Sequence, residues 1–293
     1  ASPSYSGSTL LTFLMNAHPE IATIGELKWG SINLETYSCS CGELLRACPF
    51  WIEVQARVEG RGLPFDLRLP PTDFRFPDHP LSDRVARARN RGPVFEAVRQ
   101  AAIAASPVCR ERWPTIAAVN RAAVEAILGL QGGSIFLDGS KDPVRLTHLI
   151  ATGDYDVHVI HLIRDGRGVL NSTMKNKRLS PEVAVEDWRR THDQIERVAA
   201  RTSADRYLRV RYEDLCENVK KETSRIFDFL GVSPEAAVED PGAVEHHILG
   251  NSMRLRETQE VRLDEKWRTS LGPETLAEFE QSAGEINRRF GYR

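Results

Sequence analysis

Two segments carry residues whose types and spacing suit the binding of a phosphorylated ligand. The first is Ser4-Tyr5-Ser6-Gly7-Ser8-Thr9-Leu10-Leu11, where small residues pass into an apolar helix. Free backbone N–H groups at a helix N-terminus, at the positive end of the helix dipole, make a cradle for an anion. The second is Val159-Ile160-His161-Leu162-Ile163-Arg164-Asp165-Gly166-Arg167-Gly168-Val169-Leu170-Asn171-Ser172, an apolar strand that delivers an arginine at its end. Arg164 and Ser172 are eight residues apart, so a strand-end guanidinium and a hydroxyl on the next helix can converge on one phosphate. The planar fork of arginine matches phosphate oxygens; an ion pair with Asp165 is the alternative use of the same side chain. Together the segments read as two grips on one polyanionic nucleotide.

Further polar residues fall where apolar strands end, which is where ligands sit in open α/β sheets. Ile21 to Ile24 reads as a strand that releases Gly25-Glu26, and Ser134 to Leu137 as one that releases Asp138 to Lys141. Residues 8–17 predict a short helix with Leu10, Leu11 and Leu14 inward, closed at His18-Pro19 because a proline disfavours helix in the residue before it. Later elements alternate. A helix through Val144, Leu146 and Ile150, a strand from Val157 to Ile163, a helix from about 181 to 200, a strand from Tyr207 to Val210 and a helix ending at Gly231 follow in turn. That alternation predicts an α/β fold with a mainly parallel sheet flanked by helices on both faces. On the helix near 181–200, His192 shares a stripe with Val185, Trp188, Ile195 and Ala199 and reads as packed rather than catalytic.

Residues 31–133 are looser, broken by Pro64, Pro70, Pro71, Pro77 and Pro80, with helical runs near 82–105 and 115–130. This stretch is expected to be an insertion, either the wall of an acceptor pocket or irregular packing with no ligand. The whole of 1–293 reads as one domain: 1–30 with the loop, the helix and the strand that releases Glu26, 31–133 as the acceptor-side insertion, and 134–293 as the half that carries Arg164, with a C-terminal loop and helix.

A chain of 293 residues, 41% hydrophobic, can bury a sizeable core, and a formal net charge of −2 gives no broad basic field for nucleic acid or an acidic membrane. No apolar stretch reaches the roughly 18 residues of a bilayer span, and the expected location is cytoplasmic, with a removed targeting or anchor segment left open. Only Ala1-Ser2-Pro3 precedes the loop, where doubly wound folds place a buried strand, so a trimmed sequence is expected. Cys39, Cys41 and Cys48 cluster in Cys-Ser-Cys-Gly-x5-Cys-Pro-Phe-Trp. A zinc site, a local disulfide and reduced packing thiols all remain open there. Cys109 is the distant candidate for a fourth ligand.

Five motifs then occur in order: Ser-Gly-Ser-Thr-Leu-Leu; Ala17-His18-Pro19-Glu20 followed by Gly25-Glu26-Leu27; Gly139-Ser140-Lys141-Asp142-Pro143; Arg164-Asp165-Gly166-Arg167 with Ser172; and Val210-Arg211-Tyr212-Glu213-Asp214-Leu215. The set resembles the sulfotransferases that use 3′-phosphoadenosine 5′-phosphosulfate (PAPS), nearer to bacterial and tyrosylprotein-type members than to the cytosolic aryl type. The motifs span the chain outside roughly 52–130. The resemblance implies a P-loop-type fold and in-line transfer of a sulfuryl group from PAPS to an acceptor hydroxyl or amine, with PAP as product. Tyr5, Ser6, Gly7, Ser8 and Thr9 would wrap the 5′-phosphosulfate, Arg164 and Ser172 would hold the 3′-phosphate, and Tyr212 would lie beside the adenine or its phosphate. Lys141, one of only seven lysines, matches a lysine that reaches the phosphosulfate. Glu26 would be the general base, its pKa raised beside the polyanion, with His18 as second candidate. Arg254, in Gly250-Asn251-Ser252-Met253-Arg254, and then Arg262 or Lys266 would close over the 3′ side.

The pattern departs from the family at Tyr5, where a lysine or arginine usually neutralises the leaving oxygen; Lys141 is expected to carry that role. No metal is required, because the transferred group carries less charge than a γ-phosphoryl and the loop lacks the Gly-Lys-Ser/Thr that seats Mg²⁺. The acceptor is expected to be a small molecule, carbohydrate or peptide. Two rivals remain: a P-loop kinase or other nucleotide phosphotransferase, and a non-catalytic PAP-binding protein, for which Tyr5 is the best argument.

Overall fold

Proline sets where most of the helices begin. Pro49, Pro80, Pro93, Pro107, Pro143, Pro181 and Pro273 each open a helix, as Pro49–Glu59, Pro80–Ala86, Pro93–Ala105, Pro107–Gln131, Pro143–Thr152, Pro181–Ala199 and Pro273–Arg289. At that position the missing N–H is one that no intrahelical partner would use, and φ is already helical. The helical runs expected near 82–105 and 115–130 accordingly appear as Pro80–Ala86, Pro93–Ala105 and Pro107–Gln131, while Pro64, Pro70, Pro71 and Pro77 lie in non-helical chain. These features are seen in a computed structural model, which describes residues 1–250, 252–255 and 261–293.

Among the described residues the chain divides into two compact units, each assembled from separated segments. One unit gathers Ala1–Leu10, His158–Val232 and the stretch from Val261 to the C-terminus; the other gathers Leu11–Val157 and the stretch from Ser233 to Leu255.

In the first unit, strand β3 (Val159–Ile163) pairs in parallel with β4 (Tyr207–Arg211), with His161 opposite Arg209. All five residues of β3 are buried, as expected of a parallel strand covered on both faces. Ala1 flanks β3 in the same sense. Its amino group donates to Ile160 O, and Leu162 N–H donates to Ala1 O at 3.0 Å, so the backbone entering the Tyr5–Thr9 loop runs parallel to β3. Helices Gly166–Lys177, Pro181–Ala199 and Pro273–Arg289 bury Val169, Leu170, Trp188, Phe279 and Ala283 in one cluster with Ile163. His192 lies in this core, its ring against Trp188 and Phe290 and its Nδ1 2.7 Å from His161 Nε2. Burial first, and then nearby charges that include Arg209 and Arg289, hold the His192 pKa down at about 3 and that of His161 well below the ordinary histidine range.

In the second unit, β1 (Ile21–Thr23) pairs in parallel with β2 (Ile135–Leu137), Ala22 opposite Phe136. Around them Ile24, Leu27, Trp51, Val54, Val58, Phe65, Val119 and Ile127 form the larger core. Each such side chain contributes about 1.5–3 kcal/mol when fully withdrawn from water. A second cluster holds Phe74, Phe76, Ile103, Ile116 and Cys109. Every strand pairing is parallel, as expected. The hydrogen bonds nevertheless define two separate two-stranded sheets among the described residues, because β1 and β2 are only three residues long and pair solely with each other. Among the described residues, no helix is long and apolar enough to cross a membrane.

Candidate active site

In the first unit the loop before helix Ser8–Asn16 turns sharply, with φ of +64° at Tyr5 and +89° at Gly7. A Cβ at Gly7 would stand 2.4 Å from Tyr212 Cδ2, so the loop backbone lies directly on the tyrosine ring and only glycine fits. Ser6 is fully buried, and its hydroxyl has no hydrogen-bond partner among the described residues. Ser8 and Thr9 begin the helix. Arg164 leaves β3 and donates through Nη1 to Tyr5 O at 2.9 Å and through Nη2 to Asp264 O at 2.8 Å. Its guanidinium also sits 4.5 Å from the centre of the Tyr212 ring and 3.3 Å from the Asp264 carboxylate.

The bland alternative for Arg164, an ion pair with Asp165, is taken by another residue. Asp165 caps helix Gly166–Lys177 through Arg167 N–H and pairs with the Arg167 guanidinium at 2.6 Å. Burial raises the Asp264 carboxyl, but the Lys266 N–H and the Arg164 charge outweigh it and hold its pKa below the usual range. Tyr212 is buried, which pushes its phenol pKa up; the hydroxyl donates to Arg262 O at 3.2 Å and accepts from Asp264 N–H at 3.3 Å. Ser172 stands on Gly166–Lys177, its carbonyl accepting from the Asn176 amide. Lys177, near the end of the same helix, places Nζ 5.8 Å from the Tyr5 ring centre and donates to Ser4 Oγ at 3.4 Å. Sequence reading missed both Lys177 and Asp264. Neither belongs to a motif, and only the fold brings them to Tyr5 and Arg164.

In the second unit the two strand ends lie side by side. Gly139 N–H donates to Gly25 O at 2.6 Å, and the next residues bring the Lys141 ammonium onto the Glu26 carboxylate. Lys141 has φ of +57°, a left-handed backbone that a non-glycine residue seldom adopts. Both members of the pair are partly buried, with side-chain exposures of 17% and 27%. Nearby cations are committed elsewhere: Lys28 to Asp142 and Asp73, and Arg145 to Asp138, Asn120 and Thr72 O. His18 is buried, with Nε2 2.9 Å from Ser233 O and Nδ1 accepting from Glu20 N–H at 3.1 Å, so both ring nitrogens meet backbone groups. Arg254 is buried too. It donates to Ser38 O at 2.9 Å and Gly250 O at 2.7 Å, with its guanidinium over the Tyr37 ring. Asn251, in the same predicted stretch, lies outside the described residues. Lys266 precedes helix Trp267–Ser270 in the first unit.

None of the five cysteines is joined in a disulfide. Cys109 does not join the other three: it is buried in the Phe74 and Phe76 cluster, its N–H donating to Ser106 Oγ at the start of helix Pro107–Gln131. The side chain that does join Cys39, Cys41 and Cys48 is His247.

A sequence model of the sulfotransferase family matches residues 68–236, a span that contains Lys141, Arg164, Ser172 and Tyr212. Among curated proteins nothing matches the chain. Of solved structures, the sulfotransferase domain of the Synechococcus PCC 7002 olefin synthase is similar over 100% of this chain and 93% of its own, with a TM-score of 0.53 and 22% identity. The sulfotransferase domain from the curacin biosynthetic pathway is similar over 100% and 96%, with a TM-score of 0.54 and 18% identity. At such identities the likeness speaks for the fold alone, a helix-rich α/β arrangement with small parallel sheets.

Proposed function

The chain belongs to the sulfotransferase family, and from that premise we propose that it moves a sulfuryl group from PAPS to a hydroxyl or amine of an acceptor. The observation that carries the proposal is the 2.9 Å hydrogen bond from Arg164 to Tyr5 O, which joins the two expected anion grips within one unit. In this reading the N–H groups of the Tyr5–Thr9 turn and the hydroxyls of Ser8 and Thr9 receive the 5′-phosphosulfate. The Ser6 hydroxyl, buried without a partner among the described residues, supports that assignment: an unsatisfied buried group costs about 1–3 kcal/mol, and an anionic oxygen accepting its proton relieves that cost. Arg164 and Ser172 receive the 3′-phosphate, and the Tyr212 ring fixes both the glycine of the loop and the guanidinium.

The transfer is in line. The acceptor oxygen or nitrogen bonds to sulfur as the bond from sulfur to the bridging oxygen breaks, and that electron pair leaves on the 5′-phosphate of PAP. Glu26 takes the acceptor's proton. Without donor, Lys141 neutralises Glu26; with donor, Lys141 turns to the bridging oxygen, offsets its developing charge and frees the carboxylate to act as base. Tyr5 stays a neutral hydrogen-bond donor, since burial raises its phenol pKa, and Lys177 over its ring brings the positive charge that Tyr5 lacks.

The test is PAP release from PAPS in the presence of a phenol, a sugar alcohol, an amine and a tyrosine peptide, for wild type and Lys141→Ala. We expect turnover by the wild type with at least one acceptor. In Lys141→Ala a loss of about 10²–10³-fold in kcat is expected, with PAP affinity retained. PAP binding without turnover by the wild type would instead make the chain a PAP-binding protein, and Mg-dependent ATP turnover would make it a phosphotransferase.

A further inference from the structure

Within the second unit, residues 37–48 fold into a tight hairpin that gathers three thiols. Cys39 N–H donates to Glu43 O at 2.9 Å and Leu45 N–H to Tyr37 O at 2.8 Å, while Gly42 turns the chain with φ of +96°. A second turn, closed by Cys48 N–H to Leu44 O at 2.9 Å, returns Cys48 to the first two and makes it the N-cap of helix Pro49–Glu59. His247 arrives from about 200 residues further along the chain. The ligand atoms of Cys39, Cys41, Cys48 and His247 all lie within 4.8 Å of one another. Individual separations are 3.6 Å for the Cys41 and Cys48 sulfurs, 3.5 Å from Cys48 Sγ to His247 Nδ1, and 3.7 Å from Cys39 Sγ to the same nitrogen.

Those separations have the size of a metal tetrahedron. With Zn–S of about 2.3 Å and Zn–N of about 2.0–2.1 Å, tetrahedral edges are about 3.8 Å between sulfurs and about 3.6 Å between sulfur and nitrogen. A disulfide between Cys41 and Cys48 would need its sulfurs at about 2.05 Å and would leave Cys39 and His247 unexplained. Three soft thiolates and an imidazole, with no carboxylate oxygen among the four, select zinc over magnesium, calcium or manganese. The surroundings complete a closed site. Cys39 and Cys48 are fully buried, the His247 ring stacks on Phe50 at 4.2 Å with only 4° between planes, and His247 Nε2 is 3.4 Å from Glu245 Oε1. A carboxylate on the far nitrogen is the usual outer partner of a metal-bound histidine, fixing the tautomer that leaves Nδ1 free to ligate.

We propose that Cys39, Cys41, Cys48 and His247 bind one structural zinc ion that clips the 37–48 hairpin to the 245–250 segment. The same two stretches are already tied beside the metal position, since Ser40 Oγ donates to His246 O at 2.6 Å and accepts from Ile248 N–H at 2.7 Å. The clipped segment backs the candidate base. Leu249 N–H donates to Ile24 O at 2.7 Å, and a Cβ added at Gly250 would meet Glu26 Oε1 at 2.9 Å, so the ion would anchor the backbone against which Gly25 and Glu26 rest.

The experiment is metal analysis of the full chain purified without chelators, followed by cobalt substitution of the demetallated protein. About one zinc per chain is expected, together with the visible d–d and thiolate charge-transfer bands of tetrahedral cobalt. His247→Ala should lose the metal, while His247→Cys should keep it as a four-thiolate site, a contrast that a merely structural histidine would not give. Cys48→Ser should lose the metal as well; should that variant fail to fold, the wild-type stoichiometry and cobalt spectrum still decide. A folded wild type that takes up no zinc or cobalt would overturn the proposal, whether it shows five titratable thiols or a Cys41–Cys48 disulfide by mass spectrometry.

Discussion

Arg164 in the first unit and Lys141 in the second are both strand-end cations, yet they are held in opposite ways. Arg164 rests on two backbone carbonyls and an aromatic ring, with the Asp264 carboxylate to one side, and its side chain is only 7% exposed. Lys141 ends on a single carboxylate, Glu26. A guanidinium fixed by neutral acceptors keeps its position when a phosphate arrives, because it has donors left in its fork. An ammonium paired with one carboxylate must exchange partners. Under the proposed function the first unit would serve binding and the second switching: a charge pair silent at rest would become a base and an electrophilic cation when a third charge enters.

The largest expected effect breaks that comparison at the switch. Glu26→Gln should lower kcat by about 10²–10⁴-fold, the usual worth of a general base, while PAP binds equally well or a few-fold more tightly because Lys141 is released. Equal losses in turnover and affinity would mean that Glu26 only holds Lys141 in place. On the binding side, Arg164→Ala should weaken PAP by about 2–4 kcal/mol in calorimetry, the cost of truncating a buried charge-assisted contact; unchanged affinity would remove Arg164 from the site. Gly7→Ala should cost about 1–3 kcal/mol of stability by chemical denaturation, since φ is +89° and Tyr212 occupies the space of the new methyl. Its affinity for PAP should fall along with stability, because loop and ring are one construction.

Acid sharpens the comparison by acting on both units. His192 in the first has its pKa lowered to about 3, and His148 in the second to about 4, in each case first by burial. A histidine whose folded pKa is depressed binds fewer protons folded than unfolded, so stability is complete above about pH 6.5 and falls as the pH drops toward the folded value. The expected slope is at most about 1.4 kcal/mol per pH unit for each histidine, and His148→Gln or His192→Gln should each flatten the fall between pH 6.5 and 5. The smallest effect is expected at Asp264→Asn. Removing a partly exposed carboxylate from Arg164 should tighten PAP only a few-fold, as exposed pairs are weak.

Much of this was legible in the sequence for identifiable reasons. Strands β1 to β4 stand within a residue or two of the runs that announced them: β3, wholly buried, reads as a nearly continuous apolar run, whereas β4 alternates Leu208 and Val210 with Arg209 and Arg211. Glu26 and Lys141 were visible as strand-end residues, and their side-by-side placement follows from the parallel pairing of β1 with β2. In the middle stretch the helical runs expected near 82–105 and 115–130 are present, and of the prolines read as breakers only Pro80 opens a helix. His247 was invisible. Cys39-x-Cys41 is tighter than the usual ligand pair, and the fourth ligand is about 200 residues away, a separation that only the folded chain closes. Lys177 and Asp264 were hidden for the same reason, since charges outside motifs acquire meaning only from what they touch.

The most direct test of the account is a calorimetric titration of the wild-type chain with PAP against ADP, which lacks the 3′-phosphate. If Arg164 and the Tyr5–Thr9 loop grip the two ends of one nucleotide, PAP should bind about 30- to 1,000-fold more tightly than ADP, the equivalent of one buried charge-assisted phosphate contact. Equal affinities for the two nucleotides, or no binding of PAP, would contradict it.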